Sequence, residues 1–293
     1  MTWRVNHMVS LPSQFDEIES GYQRALAQKY AHMQTLDRFD SPVAAEAHSR
    51  RAAVVIPRPA RIILIRHGES EGNRDESVYT SRPDWKIGLT GVGKMQSGHA
   101  GKRLKDLVGD GDVYIYHSPY TRAVETTTWL LKHLDRKQVR DVREEPRIAE
   151  QQFGNLRDIE TIRRCKEERK RFGRFFYRFP DGEAGLDVYS RVTSFMGTLR
   201  RDHLEENCTV VIVTHGLALR LFLMRWFQWT VEQFEATHNP PNCGIAVMNR
   251  LPADGRYRLT KETLDMIGAE NAPTTTAIGR FMLRKQATTA LLS

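Results

Sequence analysis

Four consecutive aliphatic residues, Ile62-Ile63-Leu64-Ile65, set the pattern on which this chain is built. Three are β-branched, and no polar residue alternates with them, as expected of a strand buried on both faces. Thr209-Val210-Val211-Ile212-Val213 repeats the run, and Asp112-Val113-Tyr114-Ile115-Tyr116 is a third. Gln138 to Val142 reads as a weaker strand, Gly244 to Met248 as a further one, and Arg256 to Thr260 as an edge strand. Helical patterns lie between them. One opens at Leu89-Thr90-Gly91-Val92-Gly93 with Thr90 as N-cap. Its apolar positions Val92, Met95, Leu104 and Leu107 fit one face imperfectly, and Gly98 and Gly101 weaken it. A second follows Thr121 as far as Leu134. A third, Asp187 to His203, carries Val188, Val192, Phe195, Met196 and Leu199 on one face, and a fourth runs from Leu217 to Phe227. Thr230-Val231-Glu232-Gln233 has the form of a capping box. Strands alternating with helices of this length imply an α/β fold with a parallel sheet and right-handed crossovers.

The flanks differ from this core. Residues 1–60 are expected to form a helical extension and linker: Phe15, Ile18, Tyr22, Leu26 and Tyr30 recur at helical spacing, and Pro42, Pro57 and Pro59 follow. The core spans 61–260, and 261–293 reads as a polar, Thr-rich tail. One internal stretch breaks the alternation. Between Ile162 and Phe179, eight arginines and lysines interleave with Phe172, Phe175, Phe176, Tyr177 and Phe179. Such a mixture can bind single-stranded nucleic acid. Without an accompanying nucleic-acid motif, the favoured reading is a helical lid whose aromatics pack inward.

Composition narrows the setting. The 293 residues, 40% hydrophobic, can build a sizeable core, and the net charge of +8 suits an anionic partner. Three cysteines make no disulfide framework. No apolar run reaches the roughly 18 residues that span a bilayer, and Asp16, Glu17 and Glu19 argue against a targeting peptide. A cytoplasmic protein with no membrane partner is expected. The sequon Asn207-Cys208-Thr209 leads straight into a buried strand and is read as chance.

The chemistry comes from a repetition. Twice a buried strand ends in His-Gly and a helix or loop begins: Arg66-His67-Gly68 and Thr214-His215-Gly216. Ligands of open α/β sheets sit beyond the carboxyl ends of strands. If both strands are central and parallel, both imidazoles reach one edge, with Arg66 beside the first and Arg122 after a third strand. Two imidazoles, two guanidiniums and helix N-terminal amides suit a tetrahedral oxyanion, phosphate first. Arginine does not transfer protons at working pH, and no nucleophile elbow is present. Cys165 and Arg171 have the spacing of a cysteine phosphatase loop, but the residues between lack glycine and include Glu167 and Glu168. The histidines have no metal-ligand spacing. Histidine remains as a nucleophile that the flanking arginines keep neutral, forming a phosphohistidine. Glu150, in Arg147-Ile148-Ala149-Glu150, lies after the weaker strand and is the candidate proton donor. At its ordinary pKa only about 0.2% would be protonated at pH 7, so burial or substrate charge must raise it.

Arg66-His67-Gly68-Glu69-Ser70-x-x-Asn73, Leu89-Thr90-x-x-Gly93, Ser118-Pro119-x-x-Arg122-Ala123, Glu150-x-x-x-Gly154 and Thr214-His215-Gly216 together resemble the histidine phosphatase superfamily, in its phosphoglycerate mutase-like branch. The resemblance covers roughly residues 61–250. It implies a three-layer α/β sandwich with a mainly parallel central sheet and helices on both faces. It implies His67 as the phosphorylated nucleophile, Arg66, Arg122 and His215 as the phosphate pocket, and Glu150 as proton donor. Asn73 falls on a substrate-side polar contact, and the backbone of Gly216 on one facing the phosphate. No metal or cofactor is implied, and the partner is a phosphorylated small molecule rather than nucleic acid, with the oligomeric state open. Phe179-Pro180-Asp181-Gly182-Glu183 resembles the phosphatase members, except that Ala184 stands where they usually carry Ser. The basic cluster with which mutases hold a bisphosphate is not found, Arg157 being the one near candidate, which favours a phosphatase. The alternatives are mutase-type phosphoryl transfer and, in another class, a phosphate-dependent binding module.

Overall fold

The computed structural model describes residues 58–154, 158–202 and 208–276. The helix expected in residues 14–33, most of the linker, Arg157, His203 and Asn207 lie outside these ranges.

The elements in chain order are β1 (Arg61–Arg66), α1 (Glu71–Arg74), α2 (Val78–Ser81), α3 (Gly91–Val108), β2 (Val113–His117), α4 (Thr121–Leu131), β3 (Val139–Glu144), α5 (Ile159–Phe172), α6 (Gly185–Asp202), β4 (Thr209–Thr214), α7 (Gly216–Phe227), α8 (Val231–Ala236), β5 (Ile245–Arg250), β6 (Tyr257–Leu259) and α9 (Lys261–Ile267). They build one six-stranded sheet in the order β3-β2-β4-β1-β5-β6. β1 to β4 run parallel, and β5 and β6 are antiparallel to their neighbours.

Strand side chains alternate between faces, and the core divides accordingly. Ile62, Leu64, Val210 and Ile212 join one cluster with α6 and α7 residues such as Val192, Phe195 and Phe222. Ile63, Ile65, Val211 and Val213 join another with Leu104 of α3 and Leu130 of α4. The result is a three-layer α/β sandwich. β4, with both flanks paired, is buried at every residue, whereas β3 is the exposed edge.

Three expectations change. The buried face of α3 is not Val92 and Met95, which are 46% and 60% exposed, but Gly93, Ser97, Ala100, Gly101 and Leu104. Small residues are needed there because the backbones approach closely: a Cβ on Gly93 would lie 2.0 Å from the Glu69 carbonyl oxygen. The tail expected from Lys261 instead begins as helix α9, capped by Thr260, and Ile267 and Ala269 belong to the core. A helix of seven residues, with Leu264, Met266 and Ile267 as its apolar positions, is too short to show a clear periodicity. In the stretch 162–179, Phe175 and Phe179 pack inward as expected, but Phe172 and Phe176 do not.

Candidate active site

The pairing of β1 with β4 sets Arg66 opposite Thr214, so the next residues, His67 and His215, emerge side by side. Their rings meet edge to face with centroids 5.1 Å apart. The Nδ1–H of His67 donates to the Gly68 carbonyl oxygen at 2.7 Å. That bond places the ring proton on Nδ1 and leaves the Nε2 lone pair free, since among the described residues nothing engages it. Gly68 turns the chain tightly against α3, where a Cβ would stand 2.5 Å from the Gly93 carbonyl oxygen. His215 is fully buried behind His67. Its Nε2 meets Ser118 Oγ at 2.8 Å, and its Nδ1 has no hydrogen-bond partner.

Two guanidiniums join His67 on the same cleft. Arg66 donates from Nη1 to the Pro240 carbonyl oxygen at 2.7 Å, while its buried Nε has no acceptor. Arg122, 2% exposed, bonds both the backbone oxygen and the carboxylate of Asp84 at 2.8 and 2.7 Å. Burial pulls the Arg122 pKa down, but Asp84 outweighs it and the pKa ends above its usual value. Burial, then Arg122 and Arg66, hold His67 well below the ordinary imidazole pKa. Burial and Arg122 do the same to His215. Both rings are therefore neutral at working pH.

Glu150 arrives on the loop after β3. Its Oε1 accepts from the Gln151 N–H at 2.9 Å, and its Oε2 lies 4.0 Å from His215 Nδ1. Burial raises its pKa, against the opposing pull of the Gln151 amide, Arg122 and Arg66. The loop is braced by Arg191 of α6. That guanidinium makes two 3.0 Å bonds to the Glu183 carboxylate and donates to the carbonyl oxygens of Arg147, Ala149 and Glu150 at 2.8–2.9 Å. Thr214 Oγ1 donates to the Ile148 carbonyl at 2.6 Å, tying the same loop to the end of β4. Gly154, at φ +79°, packs its Cα against the Pro180 carbonyl, which accounts for the pairing of Glu150-x-x-x-Gly154 with Pro180-Asp181-Gly182. Where Ser was expected, the N–H of Ala184 donates to Asp187 Oδ2 at 2.7 Å, and Arg178 pairs with the same carboxylate. Asp187 thus ties down the start of α6 without a hydroxyl at position 184.

Arg66, His67, Arg122, Glu150 and Asn73 line one cleft of about 920 Å³. His215 and Gly216 lie beneath it rather than on its wall. The Asn73 amide is already engaged: its oxygen accepts from Ser70 N and Asn242 Nδ2. Sequence reasoning missed Asp84 and Asn239, which line the cleft, and gave Arg169 and Arg191 no individual role. Asn239 lies flat over Gly216, where a Cβ would come within 2.7 Å of its Cγ, and Arg220 Nε donates to its Oδ1 at 2.9 Å. Arg220 is buried with no carboxylate partner; it also bonds Thr237 O and Oγ1 at 3.0 Å, and burial lowers its pKa to about 9. No local signal marks Asp84, Asn239 or Arg220, whose partners lie 17 to 38 positions away. Among the described residues, no three His, Cys, Asp or Glu side chains gather as a metal-ligand set.

The chain is similar to several known proteins. A phosphoglycerate mutase-like protein of Arabidopsis thaliana, AT74, is 48% identical over 215 residues, covering 69% of this chain and 68% of its own. A broad-range acid phosphatase of Saccharomyces cerevisiae is 32% identical over 296 aligned residues, covering 69% of this chain and 89% of its own. Among solved structures, YhfR of Bacillus stearothermophilus superposes with a TM-score of 0.56 at 22% identity, over 69% of this chain and 96% of that one, a likeness of fold. The histidine phosphatase superfamily (branch 1) profile matches residues 62–263. The chain belongs to the histidine phosphatase superfamily.

Proposed function

We propose that the chain is a metal-independent phosphatase that hydrolyses a phosphomonoester through a phosphohistidine on His67. The observation that carries this reading is the His67 ring. It is buried, held neutral, and tied through Nδ1 so that Nε2 is the nucleophilic atom on the cleft. Nε2 forms a bond to phosphorus as the ester P–O bond breaks. The electron pair leaves with the ester oxygen, which takes a proton from the Glu150 carboxyl. Arg66 and Arg122 hold the equatorial oxygens as charge redistributes over them. The phosphoryl group also supplies the acceptor that the buried Nε of Arg66 lacks. Water then attacks phosphorus, gives a proton to the Glu150 carboxylate, and frees His67. The cleft volume supports a small-molecule leaving group larger than glycerate. Three buried free cysteines fit a reducing, cytoplasmic setting.

The test is to trap the intermediate. Labelled substrate mixed with enzyme and quenched in alkali, where phosphohistidine survives, should leave label on the parent protein and none on His67→Ala, which should also lose turnover. Label or turnover persisting in that variant would end the proposal. With 3-phosphoglycerate, release of 2-phosphoglycerate without free phosphate would replace hydrolysis with mutase chemistry.

A further inference from the structure

The basic and aromatic stretch 162–179 is only half absorbed by the cleft. α5 turns Ile162 and Cys165 inward, and Phe175 and Phe179 are buried after it. The last residue of α5 and the turn that follows it are left over. Phe172 is 71% exposed and Phe176 61%. Leu186, 42% exposed, adjoins them: its N–H donates to the Phe175 carbonyl at 2.9 Å. Three of the seven large hydrophobics exposed among the described residues thus fall between positions 172 and 186, linked through Tyr177 and Phe175.

The patch is held in place. Phe172 stacks on Tyr177 with centroids 6.4 Å apart, and the Tyr177 hydroxyl donates back to Glu168 of α5 at 2.9 Å. Phe176 meets Phe175 edge to face at 4.9 Å, and the Phe175 N–H is bound by Glu235. The segment that carries it is strongly basic. Residues 159–178 hold eight cations and three carboxylates, more than half of the chain's net +8. Lys170 pairs with Glu167 and Arg174 with Glu235, but Arg163, Arg164 and Arg171 have no carboxylate partner among the described residues.

We infer that this face docks on an anionic phospholipid bilayer, with Phe172, Phe176 and Leu186 entering the headgroup region and the arginines pairing with lipid phosphates and carboxylates. Aromatic and aliphatic side chains ringed by cations are the composition of an interfacial anchor. A nucleic-acid platform needs open ring faces on which bases stack. Here Phe172 gives a face to Tyr177, and Leu186 has no ring to offer. The lack of an apolar span, read from the sequence, bears on crossing a membrane and leaves adsorption to its surface untouched.

The experiment is co-sedimentation of the full chain with vesicles of phosphatidylcholine alone and of phosphatidylcholine with phosphatidylserine, beside titration with a labelled single-stranded oligonucleotide. Binding is expected to the anionic vesicles only, and to weaken as salt rises. The double variant Phe172→Ser/Phe176→Ser should lose it while Tm and turnover of p-nitrophenyl phosphate stay unchanged, because both rings lie outside the core and the cleft. Arg163→Gln/Arg164→Gln/Arg171→Gln should weaken binding by about fivefold per cation, roughly 100-fold together. No sedimentation, equal binding to neutral vesicles, or undiminished binding by the phenylalanine variant would overturn the inference. So would oligonucleotide binding that displaces the protein from vesicles.

Discussion

Arg191 touches no substrate, yet its removal should disable the enzyme in a particular way. Its guanidinium closes a bidentate pair with Glu183 and holds three carbonyl acceptors of the Glu150 loop, those of Arg147, Ala149 and Glu150. Both partners of the pair keep 19% of their side-chain surface exposed. Breaking a fully buried pair costs about 3–5 kcal/mol, and partial solvation of the orphaned Glu183 reduces that to about 2–3 kcal/mol for Arg191→Met. For a fold of this size that corresponds to a Tm lower by about 5–10 °C. The catalytic effect should be the larger one. A misplacement of about 1 Å costs on the order of 100-fold when a group must meet a reacting atom. Because Glu150 is the group displaced, the loss should fall on alkyl phosphates, whose leaving oxygen needs a proton. It should largely spare p-nitrophenyl phosphate, whose leaving group does not. The assay is kcat on both substrates at a temperature well below the variant's Tm, with Arg191→Lys for comparison. Lys keeps the charge but loses the fork, so it should recover stability better than rate. Equal losses on the two substrates, or a lowered Tm with unchanged kcat on alkyl phosphates, would show that Arg191 is structural only.

Other outcomes follow from the same geometry. Glu150→Gln should lower kcat on alkyl phosphates by about 100- to 10,000-fold. In the parent, kcat/KM for those substrates should decline as pH rises through the raised Glu150 pKa, and the variant's pH profile should lack that limb. The neutral, buried histidines carry a stability cost in acid. The folded pKa values of His67 and His215 lie well below the unfolded value of about 6.5, so below that pH the unfolded chain binds protons that the native chain refuses. Stability should drop by up to about 2.7 kcal/mol per pH unit there, offset in part by Glu150, whose raised pKa acts in the opposite sense. Urea midpoints measured at pH 7.5 and 5.5 check this, and a midpoint that does not fall would contradict it. Asn239→Ala should weaken inhibition by inorganic phosphate about tenfold, the size of one lost hydrogen bond to a charged group, and should lower Tm as well, because the buried Nε of Arg220 loses its acceptor. Arg220→Met should weaken the inhibition likewise through the freed amide.

Much of the site was legible in the chain itself, because its parts are local. A strand buried on both faces shows as an unbroken β-branched run, and β1 and β4 each carry their histidine at the residue that follows. Parallel neighbours in matched register then meet at one edge without further information. Arg122 and Glu150 follow β2 and β3, so chain order alone placed them near that edge. Hydrophobic periodicity failed on α3, where glycine and serine face inward because the backbones approach too closely for larger side chains.

What the sequence determined by itself was the set of candidate groups at one sheet edge: their types, their order, and the strand ends that deliver them. Tertiary structure decided their protonation and their aim. Burial together with Arg66 and Arg122 makes the imidazoles neutral, the Gly68 carbonyl selects Nε2 of His67, and Arg191 with Glu183 holds Glu150 over the edge. It also decided which aromatics of the lid face water. These properties arise chiefly from desolvation and from hydrogen bonds such as that of Arg191 to the Glu150 carbonyl oxygen, 41 positions away. Such contacts exist only once the chain has closed on itself, so no local pattern records them.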